Sequence, residues 1–247
     1  MKVGVIVQAR YASTRLPGKV LLPLKGHSVL YHDIQRIRQA KRIDEIIVAT
    51  STNERDGAIV NEAKSIGVKC FRGSELDVLS RYYLAAKENG LDIIVRITSD
   101  CPLIDPHVVD KVIDEFFDNN CDISTNASPD LANRTYPRGF DTEVFSFEKL
   151  SEANREASKD YQREHVTPYI YENSIRVNYV KNDIDYSRYR LTLDTSEDYN
   201  LICKVYDCLY KGIHDFYLQE IVELLTSKPE LIRINQHIEQ KCYKDTL

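Results

Sequence analysis

No stretch of the 247-residue sequence stays apolar long enough to cross a bilayer. The first apolar run, Val3–Val7, is five residues long and ends at Gln8, whereas a membrane helix needs about 20. It is also too short for the core of a secretory signal and reads as a buried strand. Positive charge is not in surplus: 33 Lys and Arg against 38 Asp and Glu give a formal charge of −5. That balance excludes a general nucleic-acid-binding surface, so any phosphate recognition has to come from a local group of cations. Cys-x-x-Cys pairs and His–Cys groups at zinc spacing are missing, and Cys70, Cys101, Cys121, Cys203, Cys208 and Cys242 are scattered. A chain this long needs no disulfide staples, so reduced thiols and a cytoplasmic setting are expected. Neither a Gly-x-Gly-x-x-Gly fingerprint nor a Walker loop is present. No Ser-His-Asp or Cys-His grouping suggests a covalent intermediate. Repeats, low-complexity tracts and linkers are also absent, which favours one domain over residues 1–247.

What is present is an alternation of strands and helices. Strands are predicted at Val3–Gln8, Glu45–Thr50, Val68–Phe71 and Asp92–Ile97, and helices at Val29–Ala40 and Glu54–Ile66. A further helix places Leu76, Leu79, Tyr83 and Ala86 at core spacing, and another does so with Val109, Val112, Ile113, Phe116 and Phe117. This rhythm implies an α/β fold, a mostly parallel sheet in a three-layer Rossmann-like arrangement, with ligands at the carboxyl ends of the strands. After about Asp122 the rhythm changes. Thr142–Phe145 alternates at strand period, helices are expected at Phe147–Ala157 and Lys159–Tyr171, and strands at Ile175–Val180 and Tyr189–Leu193. The stretch from 137 to 180 is read as an inserted arm or subdomain, because Phe140, Val144, Phe145, Val166, Tyr169 and Ile170 lie outside the main series and need a partner surface.

The most informative segment follows the first strand. Gln8-Ala9-Arg10-Tyr11-Ala12-Ser13-Thr14-Arg15-Leu16-Pro17-Gly18-Lys19 places three cations on an exposed loop where an open α/β sheet takes its ligand. Those charges suit a polyphosphate. Two carboxylates, Asp100 and Asp194, each follow a predicted strand and could face one site. Mg²⁺ asks for little more than one or two carboxylates beside phosphate oxygens and water. Asp194 reads equally well as the cap of the following helix. Arg81 reads from spacing alone as a surface arginine, and Asp141 and Glu143, on one strand face near Arg138, either suit hydroxyl recognition or line a solvent-facing strand edge. His165 either meets a substrate carboxylate or packs a helix.

The Gln8–Lys19 loop resembles the signature of the sugar cytidylyltransferase family, which includes the CMP-Kdo and CMP-sialic acid synthetases. The likeness is strongest to the spore-coat polysaccharide branch. It continues in order through Phe71-Arg-Gly-Ser-Glu-x-Asp77-Val-Leu-x-Arg81, Thr98-Ser-Asp100-Cys-Pro, Pro137-x-Gly-Phe-Asp141-x-Glu143, Arg163-Glu-His165-Val-Thr and Leu191-Thr-Leu-Asp194-Thr-x-Glu-Asp198. The resemblance implies a nucleotide-diphosphosugar-transferase fold. It also implies a triphosphate donor, CTP or another NTP, and a small sugar-like or nonulosonic acid acceptor. Gln8, Ala9, Arg10, Lys19 and Arg81 would hold the nucleotide, with Arg10, Arg15 and Lys19 on its phosphates. Arg138, Asp141, Glu143 and His165 would hold the acceptor, and Asp100 and Asp194 a Mg²⁺ ion. A homodimer built through the inserted arm follows from the same resemblance, and Asp198 would serve the helix N-terminus. Two other readings compete: a glycosyltransferase of related fold, and a catalytically silent nucleotide-binding protein. The first fits poorly, since Ser99-Asp100 lacks the leading Asp of an Asp-x-Asp.

Overall fold

The computed structural model describes residues 1–128 and 131–240; Cys242 lies outside them. The first strand, β1 (Val3–Gln8), runs into the cation-bearing loop and a 3₁₀ turn at Lys19–Leu21. The short hairpin β2 (Pro23–Leu24) and β3 (His27–Ser28) leads to α1 (Val29–Ile37). There follow β4 (Glu45–Ser51), α2 (Gly57–Ile66), β5 (Lys69–Gly73), α3 (Val78–Glu88), β6 (Ile93–Thr98) and α4 (Pro106–Asp118). The later part comprises β7 (Ile123–Thr125), β8 (Glu143–Ser146), α5 (Phe147–Glu156), α6 (Asp160–His165), α7 (Pro168–Asn173) and β9 (Val177–Tyr179). Three helices close it: α8 (Ser196–Leu209), α9 (Leu218–Ser227) and α10 (Pro229–Ile232).

The main sheet has seven strands in the order β5-β4-β1-β6-β8-β7-β9. β1 pairs in parallel with both β4 and β6, β4 with β5, and β7 with β9, while β8 alone runs the other way. Side chains alternate across the sheet as the pleat requires. Val5 and Val7 pack toward Leu30, Ile34, Ile59 and Val112 of α1, α2 and α4. Ile6 packs toward Leu79 and Tyr82 of α3 and Leu150 and Ala153 of α5 on the opposite face. A third core, built around Leu201, Ile202, Val205 and Tyr206 of α8 with Ile221 of α9, takes in Leu191 and Leu193. No helix among the described residues is long and apolar enough to cross a membrane, and Cys70, Cys101, Cys121, Cys203 and Cys208 form no disulfide.

The α/β alternation of the first half stands as read, with corrections at particular residues. Asp77 caps α3 by accepting from Ser80 N at 2.9 Å, so the helix starts after Leu76. That phase leaves Leu76 84% exposed and turns Tyr82 rather than Tyr83 into the core. Phe117 likewise faces outward while Phe116 is buried. The single helix expected over Lys159–Tyr171 is two. Pro168 has no N–H to continue a helical ladder and instead opens a new one at its first position, and Val166 between them has φ 71°.

The stretch from 137 to 180 does not stand apart from the domain. β8 enters the main sheet beside β6, and Phe145, Val166 and Ile170 join the core beneath α3 and α5. Phe140 and Val144 are equally buried. These five residues are thus covered by the chain's own core, while Tyr169 is only partly buried and Ile175 is exposed. The strand expected at Tyr189–Leu193 makes only an isolated parallel bridge, Arg138 to Arg190.

Candidate active site

The phosphate loop is fixed at both ends. Ser99 N and Oγ donate to Gln8 O at 3.0 and 2.8 Å, tying the end of β1 to the end of β6. Buried Ala9 donates its N–H to Ala49 O. Asp56 accepts from Tyr11 N at 2.8 Å while also accepting from Ser51 N and Oγ. At the far end, Gly18 N donates to Tyr11 O at 2.8 Å. Gly18 has φ 69°, and a Cβ there would meet the Tyr11 ring at 3.0 Å; only glycine closes the loop in this way.

That closure aims Lys19 inward. Its ammonium donates to Asp100 Oδ2 at 2.7 Å, Leu193 O at 2.7 Å and Asp194 Oδ1 at 2.8 Å. The expectation of an exposed loop lysine is therefore corrected, since the side chain is 12% exposed and clasped by the acidic pair. Arg15 reaches the other oxygen of Asp194 at 3.0 Å. Arg10 has no ion-pair partner within 4 Å among the described residues. Burial lowers Lys19, but the charges of Asp100 and Asp194 outweigh it and raise the ammonium above its ordinary value. Burial likewise raises Asp100, yet the Lys19 charge and the Thr98 hydroxyl hold the carboxyl below the usual range. Thr98 Oγ1 donates to Asp100 Oδ1 at 2.6 Å.

Asp100 and Asp194 meet although 94 positions separate them, because the two backbones are pinned together. Leu193 N donates to Asp100 O at 2.8 Å. The segment carrying Leu193 is held in turn by Arg138, whose N–H donates to Tyr189 O and whose carbonyl accepts from Leu191 N. Gly139 permits this approach: it has φ 99°, and a Cβ would lie 2.4 Å from Leu191 O. The capping alternative for Asp194 is overturned. Thr195 and Asp198 form the capping box of α8, and Asp198 takes the helix-terminus role read for it, accepting from Asp194 N and Thr195 N.

Arg190 is a residue the sequence reading missed. It is buried, donates to Asp194 Oδ2 at 3.0 Å and to both Asp198 oxygens at 2.9 Å, and pairs with Gln240 at 2.5 Å. It stands one position before the Leu191–Asp198 block, in non-helical chain ahead of α8, where spacing gave no signal of its contact with Asp194. Asp56, hidden at the start of a predicted helix, was also missed.

The solvent-facing alternative for Arg81 falls, because the residue is fully buried. Its Nη1 donates to Ser74 O, while Nε and Nη2 have no hydrogen-bond partner among the described residues. Glu143 is removed from acceptor binding: Arg96, Thr167 Oγ1 and Tyr171 OH occupy its carboxylate, and it is 5% exposed. An acid so satisfied organises the sheet edge. Asp141 takes a bidentate pair from buried Arg134 at 2.7 and 3.1 Å and stays partly exposed, while burial first, then the charges of Asp100, Asp33 and Asp141, raise the Cys101 thiol. His165 ends α6 in the fields of Arg96 and Arg10; burial first, then those charges, lower it.

The donor set fits a hard divalent cation. A single nitrogen already touches one oxygen of each carboxylate, so both can reach one ion. No third His, Cys, Asp or Glu joins them among the described residues, leaving the other positions to phosphate and water.

A family model described as cytidylyltransferase matches residues 4–235. An uncharacterised protein of Methanocaldococcus jannaschii is 38% identical, over 99% of both chains. A spore coat polysaccharide biosynthesis protein of Bacillus subtilis is 34% identical over 91% of this chain and 94% of that one. The structure of a cytidylyltransferase from Leptospira borgpetersenii superposes with a TM-score of 0.87 at 36% identity, covering 98% of this chain and all of that one. On the family model and these relatives, the chain belongs to the cytidylyltransferase family and is a nucleotidyltransferase.

Proposed function

We propose that this protein transfers CMP from CTP to an oxygen of a sugar-like or nonulosonic acid acceptor and releases pyrophosphate, as a step in making a surface polysaccharide. The observation that carries this reading is the convergence of Lys19 and Arg15 on Asp100 and Asp194 at the carboxyl ends of β1 and β6. Cations for a leaving pyrophosphate thus stand beside carboxylates for a metal. The relative named for spore coat polysaccharide biosynthesis supports the setting.

Nucleotidyl transfer needs positioning and charge stabilisation more than covalent chemistry. The acceptor oxygen attacks the α-phosphorus, the bond to the bridging oxygen breaks, and pyrophosphate leaves with its electron pair. Arg10, Arg15 and Lys19 neutralise that developing charge. Gln8, Ala9 and Arg81 border the nucleotide. Arg138, His165 and the Arg134-held Asp141 bound the acceptor. Asp100 and Asp194 would hold Mg²⁺, which supplies Lewis-acid polarisation of the phosphate and lowers the pKa of an acceptor hydroxyl. The homodimer is carried over from the resemblance, and the cytoplasmic setting from the scattered cysteines.

The test is a panel of the four NTPs against acidic and phosphorylated sugars with Mg²⁺, read by pyrophosphate release. CTP should lead, and EDTA should abolish release. Turnover with another NTP and none with CTP would overturn the base assignment, and no release from any pair would overturn the reaction.

A further inference from the structure

Asp194 receives three cations: Lys19 at 2.8 Å and Arg15 and Arg190 at 3.0 Å each. They are not equivalent. Arg190 is anchored behind the site by Asp198 and Gln240 and has no loop to move with. Lys19 and Arg15 belong to the phosphate loop, and their bonds to the carboxylates are the ones a ligand would exchange. Asp100, for its part, has Lys19 as its single ion-pair partner among the described residues.

We propose that Lys19 and a divalent cation are alternative occupants of the Asp100–Asp194 pair, so that metal and triphosphate enter by exchange of partners. This rests on the metal reading above and adds what it does not contain, a competition built into the free enzyme. A metal ion arriving alone meets carboxylates already neutralised by an ammonium. A triphosphate arriving alone meets two loop cations already committed to Asp194. Arriving together, the metal takes the carboxylates and frees Lys19 and Arg15 for the phosphates, and every charge keeps a partner. Metal and nucleotide therefore bind with positive coupling, and by linkage each strengthens the other by the same factor. Lys19 is in this respect a positioning residue for the metal as well as a phosphate ligand.

The experiment measures Mn²⁺ binding to the whole protein from the electron-spin resonance signal of free Mn²⁺, with and without CTP, the Mn²⁺ held by CTP alone being measured without protein and subtracted. Wild-type protein should bind Mn²⁺ weakly alone and more tightly with CTP. Lys19→Met, which keeps the side chain's length and removes its charge, should bind Mn²⁺ without nucleotide at least about tenfold more tightly than wild type. Its coupling to CTP should shrink. Arg15→Met, which removes a partner from Asp194 alone, should move the same way by less, and it serves if Lys19→Met does not fold. Unchanged or weaker Mn²⁺ binding in both variants, with wild type still binding Mn²⁺ in the presence of CTP, would overturn the exchange and leave the metal reading standing. Absence of Mn²⁺ binding to wild type even with CTP would remove both.

Discussion

At the scale of single residues, the sharpest acid-sensitive feature lies away from the site. His32 is fully buried on α1, and its Nε2 lies 2.6 Å from Leu24 O. A carbonyl only accepts, so His32 carries its proton on Nε2, and its Nδ1 accepts from His214 Nε2 at 2.8 Å. Protonating His32 puts a second donor on Nδ1, against the donor on His214 Nε2, and burial disfavours a charge on either ring. Burial, then neighbouring charge, takes His32 from its ordinary value of 6.5 to about 4 and His214 to about 3. Because these folded values are depressed, the unfolded chain binds the extra protons first. The stability due to the neutral pair is complete above about pH 6.5 and is lost as pH falls toward 4. Each proton contributes a slope of up to about 1.4 kcal/mol per pH unit, reduced by the partial exposure of His214. Urea midpoints measured from pH 7 to 4.5 should fall. His214→Asn, whose amide still donates to His32 and does not titrate, should make that fall shallower. A slope identical in the variant would show that the pair does not set acid stability.

At the scale of elements, the start of α8 separates structure from chemistry within two adjacent residues. Thr195 Oγ1 accepts from Asp198 N at 3.3 Å as the helix cap, whereas the Asp194 carboxylate turns to Lys19, Arg15 and Arg190. Thr195→Ala should therefore cost about 0.5–2 kcal/mol of stability with turnover kept, and Asp194→Asn should depress turnover on the order of 10²-fold. Paired melting and rate measurements decide it; a Thr195→Ala variant as slow as Asp194→Asn would mean that the cap and the site are not separable. The same elements show what the sequence could reveal. The phosphate loop was legible because Pro17, Gly18 and three cations stand together after an apolar strand, and Asp100 because it follows β6 within three residues. Phase and pairing were not legible. Tyr82 takes the core position expected for Tyr83 because the Asp77 cap sets where α3 begins. Glu143 is consumed by Arg96, 47 positions away, a contact that strand alternation does not encode. Alternation over 142–145 marked a strand but not its partner, and so β8, whose neighbours are β6 and β7 of the parent sheet, looked like part of an arm.

At the scale of the whole molecule, the burial of Phe140, Val144, Phe145, Val166 and Ile170 within one chain changes where a dimer contact would lie. Exposed large apolar residues elsewhere are scattered singly, as on ordinary surfaces. Within the stretch from 137 to 180, one surface still open is the edge of the sheet. β9 ends the strand order, and Ile175, two residues before it, is 95% exposed. An edge strand presents unpaired N–H and C=O groups that a second copy satisfies when related by a two-fold axis. Ile175 on both copies would then leave water at the same step. The family resemblance implies a homodimer, and we propose that it forms at this edge. Light scattering at micromolar concentration should give twice the 28.5 kDa of one chain. Ile175→Glu, which brings two like charges together across the axis, should shift the mass to that of one chain with the circular dichroism spectrum unchanged. A wild-type mass of one chain that does not rise on concentrating would end the dimer proposal. A dimer indifferent to Ile175→Glu would move its contact away from β9.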